Sequence, residues 1–169
     1  MATLIGVSLA LFVGIMATWT GLDRGRSFYP TVMIFIAALY VLFAVIGGPS
    51  APLLTECAVM GAFLVASITG FKKTLWLVVA ALATHGIFDL VHPHVLSNPG
   101  VPVWYPEFCS AYDAVAALYL AALLMRPVLS AAWERRLTAA SSSGRERASG
   151  SSAPLPGSAT RTRTSILTT

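Results

Sequence analysis

The chain has 169 residues, 56% of them hydrophobic and 11% charged, with a net charge of +4. Soluble domains carry charge at about a quarter of their positions, so this composition and the mean hydropathy of +0.75 exclude an ordinary water-soluble globule. Only Arg24, Arg26, Lys72 and Lys73 precede Arg126 among the eleven Lys and Arg; the basic character is a property of the tail, which leaves no basic face for nucleic acid.

The first apolar segment, residues 2–19, lacks the Lys or Arg that precedes the apolar stretch of a secretory signal. It reads as a retained helix. Spanning about 30 Å of hydrocarbon takes roughly 20 mainly apolar residues, and four further segments approach that length, at 30–47, 52–70, 74–92 and 109–125. Gly21, Gly25, Gly47, Gly48, Pro49, Gly70, Pro93 and Pro127 punctuate them, through free dihedrals or missing donors. Asp23 with Arg24 and Arg26 forms a polar turn between the first two. The loop from Ser97 to Glu107 is rich in proline and carries Trp104 and Tyr105, an aromatic pair suited to a membrane interface, with a lid over polar residues below as the alternative. Residues 128–137, with Trp133, Arg135 and Arg136, suit a short interfacial helix. Residues 138–169 turn to Ser, Thr, Gly, Pro and Arg, and cannot bury enough apolar surface to offset chain entropy; a disordered cytoplasmic tail is expected. The expected fold is thus all-α: a five-helix transmembrane domain over residues 1–127, embedded in a cell membrane of the bacterial inner type.

If the spans cross in turn, every Lys and Arg falls on one side. The other side holds the N-terminus and the 93–108 segment and has none. Positive charge collects in cytoplasmic loops, which predicts an N-terminus outside and a C-terminus inside.

The chemistry concentrates in the outer half. At 100° per residue, Asp89 stands about 40° to one side of His85 and His92 about 20° to the other, so one narrow stripe of helix four carries all three. Ionisable groups at membrane depth cost roughly 2.5–3.5 kcal/mol on insertion scales and face the bundle interior. Topology brings Glu56 on helix three and Asp113 on helix five to the same layer. His85, Asp89, His92, Glu56 and Asp113 are therefore a candidate ligand set for a divalent metal such as zinc or iron. His85, Asp89, His92 and Asp113 are equally candidates for general acid–base work on a lipid-like substrate entering from the bilayer. His94, Trp104, Tyr105, Glu107 and Tyr112 lie at the periphery. Cys57 and Cys109, both near the outer face, leave a disulfide open. Two rival readings stand beside the enzyme: a polar cluster that only locks helices, and a transport or proton-relay subunit. The inner halves of the helices offer almost no ionisable groups, which favours a one-sided site over a conduction path.

The blocks His85-Gly-x-x-Asp89-x-x-His92 and Pro106-x-Phe-Cys109-x-x-Tyr112-Asp113 resemble those of a family of small bacterial multi-pass membrane proteins of uncharacterised activity. The likeness covers about 30 residues and implies which side chains matter without naming a reaction. A more distant likeness of architecture, to small membrane isomerases and cyclases, carries no residue assignments.

Overall fold

The computed structural model describes residues 1–48 and 52–126; the expected interfacial helix at 128–137 and tail at 138–169 lie outside them. Among the described residues the chain is all helical. Five helices are long and apolar enough to cross a bilayer: α1 (Ala2–Thr20), α2 (Phe28–Gly47), α3 (Leu53–Lys72), α4 (Trp76–Val95) and α5 (Tyr105–Arg126). This is the architecture of a multi-pass membrane protein, and large apolar side chains such as Phe12, Phe35, Leu54, Val65 and Leu118 stay exposed on its outer surface.

Two helix limits differ from those expected. α4 continues through Pro93 to Val95 instead of stopping at residue 92. Pro93 falls in the last turn, where its missing N–H costs one bond to the Asp89 carbonyl and no further turn depends on it; the helix closes on the Leu96 N–H bond to the His92 carbonyl, 2.9 Å. α5 begins four residues early, at Tyr105. Pro106 sits in its first turn, where a backbone N–H has no helical partner in any case.

α1 buries Gly6, Ala10, Gly14 and Ala17, a spacing that lets backbones approach closely. It docks on α5: a side chain at Gly6 would run into the Phe108 carbonyl, and Gly14 rests against the Tyr119 ring. Gly6→Val is accordingly expected to lift α1 from α5 and destabilise the bundle by about 1–3 kcal/mol, as overpacking does, read from thermal unfolding in mild detergent. α2 packs on α3, and α3 on α4. α4 buries Val78, Ala81, Leu82, His85, Gly86, Asp89 and His92, more of its span than any other helix.

The two ends of the bundle differ. At one end the Thr18 hydroxyl donates to Asp23 (2.5 Å) and pairs with the Tyr119 hydroxyl (2.8 Å), while Arg26 reaches the Gly70 carbonyl (3.5 Å). Lys72 and Arg126 close α3 and α5 there, so the described Lys and Arg gather at this end. At the other end the loop between α4 and α5 folds back on α2. Gly100 lies against the Phe43 carbonyl with no room for a side chain, and Asn98 donates to the Tyr40 carbonyl at 3.3 Å.

Candidate functional site

The buried polar side chains of α3, α4 and α5 fall in two tiers. The deeper one lies near the middle of the membrane-spanning length. His85 is the tenth of the 20 residues of α4, and Asp113 enters from α5 beside Gly86, whose lack of a side chain lets the two helices close up there. His85 Nδ1 and Asp113 Oδ2 are hydrogen-bonded at 2.7 Å. Asp89, one turn along α4, brings its Oδ2 to 3.5 Å from the same nitrogen. Cys109, one turn before Asp113 on α5, completes the group: ligand atoms of His85, Asp89, Cys109 and Asp113 all lie within 4.8 Å of one another. All four residues are 0–2% exposed.

Hydrogen bonding in this tier is incomplete. Neither oxygen of Asp89 has a partner, nor does Asp113 Oδ1. A buried carboxylate without partners is costly, and native interiors rarely keep one unless an ion, water or proton is to complete it. Cys109 donates only a long contact to the Tyr105 hydroxyl, 3.5 Å. One nitrogen, two carboxylates and one sulfur match the donors that hold zinc or non-haem iron. A tetrahedral shell with bonds of about 2.0–2.3 Å spaces its ligands roughly 3.3–3.8 Å apart, so the group closes on an ion with side-chain shifts of about 1 Å.

The outer tier sits two helical turns away, about 10 Å along α4. His92 Nε2 and Glu56 Oε1 are paired at 2.7 Å, and Asn98 donates to the same oxygen at 2.9 Å. Glu56 Oε2 is buried without a partner. Between the tiers stands Tyr40 of α2. Its ring lies 4.2 Å from that of His92 and 6.0 Å from that of His85, centroid to centroid, and its hydroxyl is also unpartnered. Phe63 and Phe88 press on the two imidazoles at 4.8 and 5.4 Å and complete an apolar collar.

The five residues taken from the sequence as one layer are all buried, but not as one set. His85, Asp89 and Asp113 converge; Glu56 and His92 form their own pair. The difference is depth, since Glu56 opens α3 as its fourth residue while Asp113 follows two turns of α5, about one of which the late expected start of that helix left out. Cys57 is exposed and Cys109 buried, and both are free thiols; Glu56 takes the inward face of α3, which turns its neighbour Cys57 outward, so the disulfide left open does not form. Of the peripheral residues, Trp104 is 56% exposed, as an interfacial residue should be. Tyr105 instead is 4% exposed and packs on Tyr40 and Phe43, because the early start of α5 turns it inward. Tyr112 is buried, whereas His94 and Glu107 are exposed and outside both tiers. Reading the sequence missed Cys109 as a site member, although its spacing of four from Asp113 puts both on one helical face. It also missed Asn98 and Tyr40, the first concealed in a turn and the second in an apolar span.

An apolar groove reaches the deep tier from the side. α1 rests on α5 and scarcely touches α2, which leaves a cavity of about 380 Å³ between them. Its walls include Phe28, Val32, Phe35 and Leu39 of α2, and Cys109 of the deep tier is among its lining residues. From Phe28 to Leu39 it runs along α2 for about 16 Å, at 1.5 Å per residue.

No protein-family model, curated protein or solved structure matches this chain.

Proposed function

We propose that the chain is a metal-dependent multi-pass membrane enzyme acting on a lipid-like substrate, with His85, Asp89, Cys109 and Asp113 holding one divalent ion, zinc or iron. The observation that carries this reading is Asp89: fully buried, with no hydrogen bond to either oxygen and only the 3.5 Å contact to His85 Nδ1, and grouped with a histidine, a thiol and a second carboxylate. The thiol selects against magnesium and calcium, which take oxygen ligands. A bound ion would polarise a carbonyl or phosphoryl oxygen, or lower the pKa of a water molecule. The chain's own contribution is to orient the ligands and to keep the site dry: the 2.7 Å bond between His85 Nδ1 and Asp113 Oδ2 holds the two side chains against one another before an ion would bind, and the Phe63 and Phe88 rings exclude bulk water. The elongated apolar groove, with Cys109 in its lining, supports a substrate with a hydrocarbon chain that arrives from the bilayer. The clustering of Lys and Arg at the far end supports an N-terminus outside, a C-terminus in the cytoplasm, and a cell membrane of the bacterial type as the site of action.

Metal analysis of the full-length protein, purified in mild detergent without chelators, is expected to give about one equivalent of zinc or iron, the occupancy of a closed structural or catalytic site. Less than about a tenth of an equivalent of every transition metal, before and after incubation with zinc, sinks the metal reading. A second reading, favoured by the two direct 2.7 Å pairs His85–Asp113 and His92–Glu56, is a non-enzymatic membrane component in which both tiers only lock helices. It prevails if the wild type binds no metal while His85→Ala and Asp113→Asn each unfold the bundle.

A further inference from the structure

The loop between α4 and α5 roofs a second cavity, of about 290 Å³, at the end of the bundle away from the Lys and Arg residues. Its character is opposite to that of the groove. His92, Ser97 and Asn98 contribute polar groups to it, and Pro93, Pro99, Pro102 and Pro106 make much of the wall. Proline fixes its own φ and offers no N–H, so this wall is stiff and holds water loosely. His92 forms part of the lining, and Glu56 stands directly behind it with Oε2 unpartnered. Asn98, 9% exposed, pins Glu56 Oε1 and the Tyr40 carbonyl together. Tyr40 in turn lies against both imidazoles.

We propose that this vestibule is the aqueous port of the deep tier, admitting water and the hydrated divalent cation, with Glu56, His92 and Asn98 as its gate. The proposal rests on the metal reading of the deep tier and adds where its polar reactants come from. The groove cannot serve them, since a dication drawn across an apolar wall open to lipid loses its hydration without replacement. The vestibule supplies replacement oxygen and nitrogen: behind its His92 wall lie Glu56 Oε2 and the Tyr40 hydroxyl, both buried without a hydrogen-bond partner, and the Tyr40 ring lies 4.2 Å from His92 and 6.0 Å from His85. The molecule thus has two cavities of opposite polarity, one lined by Cys109 of the deep tier and one by His92 of the outer tier; with the gate open they would bring an apolar substrate and water to one buried group, and the class of reaction is hydrolysis or hydration.

The test follows uptake of aqueous Co²⁺ by the full-length, metal-free protein through the thiolate-to-cobalt charge-transfer absorption of Cys109. Ser97→Trp fills the vestibule from an exposed position and is expected to slow uptake at least about tenfold with unchanged final occupancy, a barrier increase of about 1.4 kcal/mol. Val32→Trp fills the groove and leaves the rate at the wild-type value. Uptake by Ser97→Trp at the wild-type rate, or slowing by Val32→Trp alone, overturns the port. If the wild type takes up no Co²⁺, the metal reading falls and hydroxyl-radical footprinting decides the port separately. His92, buried in this structure, is then expected to be oxidised more slowly than the exposed His94 and more slowly again in Ser97→Trp; a rate of His92 oxidation that Ser97→Trp leaves unchanged overturns it.

Discussion

Asp89→Asn is expected to abolish metal binding and yet leave the metal-free bundle no less stable than the wild type. Loss of an outer partner of a ligand costs about 10–100-fold in metal affinity, and loss of a ligand itself costs more, so occupancy should fall below detection at equimolar zinc. Stability should behave otherwise because Asp89 makes no close hydrogen bond, its carboxylate meeting only His85 Nδ1 at 3.5 Å; Asn removes a buried negative charge that this one long contact compensates poorly. The two effects separate in one experiment. Thermal unfolding of the wild type should shift upward with added zinc, by about 2.7 kcal/mol at a hundred times the dissociation constant, and that of Asp89→Asn should not respond. A metal-free Asp89→Asn protein that unfolds well before the metal-free wild type would show that Asp89 serves the scaffold.

His92→Ala is expected to do the reverse and destabilise the bundle, by about 1–3 kcal/mol or more, the effect of leaving one member of a buried hydrogen-bonded pair unsatisfied. Glu56 would be left with both oxygens at 1% residue exposure and only the Asn98 amide as a donor. The double variant Glu56→Gln with His92→Gln should recover most of that loss, since two neutral amides can bond to one another and to Asn98. A double-mutant cycle in detergent, read by unfolding with a denaturing surfactant, measures the coupling. Additive losses would mean that the pair does not interact as its 2.7 Å separation implies.

The fold was legible in the sequence to the extent that hydropathy and charge agree. Five spans emerge from composition alone, and the placement of Lys and Arg made an odd number of crossings the economical solution. The helix limits were less legible where proline was involved. Pro93 read as a boundary and Pro106 as part of a loop, yet each occupies a turn of helix in which no N–H bond is needed. That error propagated to the site: starting α5 at Cys109 put Asp113 at the depth of Glu56, and one layer was inferred where two exist. Periodicity correctly placed His85, Asp89 and His92 on a single stripe of α4, because angular position depends only on residue spacing. Tyr40 left no signal of its own, since a tyrosine in an apolar span is ordinary, and its place between the imidazoles comes from how α2 packs on α3 and α4. Asn98 belongs to the fold of a loop, which spacing does not encode.

The uneven distribution of polar side chains also bears on how the protein enters its membrane. α4 has the lowest mean hydropathy of the five spans, 1.3 against 2.4 for α2, because it carries two imidazoles and a carboxylate at 0–1% exposure. Their partners arrive on both sides in synthesis order: Glu56 precedes α4, whereas Cys109 and Asp113 follow it on α5. During insertion α4 can shelter His92 against α3 at once, but His85 and Asp89 face hydrocarbon until α5 emerges, at a cost of roughly 2.5–3.5 kcal/mol for the carboxylate on insertion scales. Biogenesis is therefore expected to proceed with α4 and α5 leaving the insertion machinery as a hairpin, and a chain truncated before α5 should stall with α4 only partly integrated. The residues that equip the mature protein for chemistry are the same ones that make its fourth helix a reluctant guest in the bilayer, and the fifth helix is what settles it there.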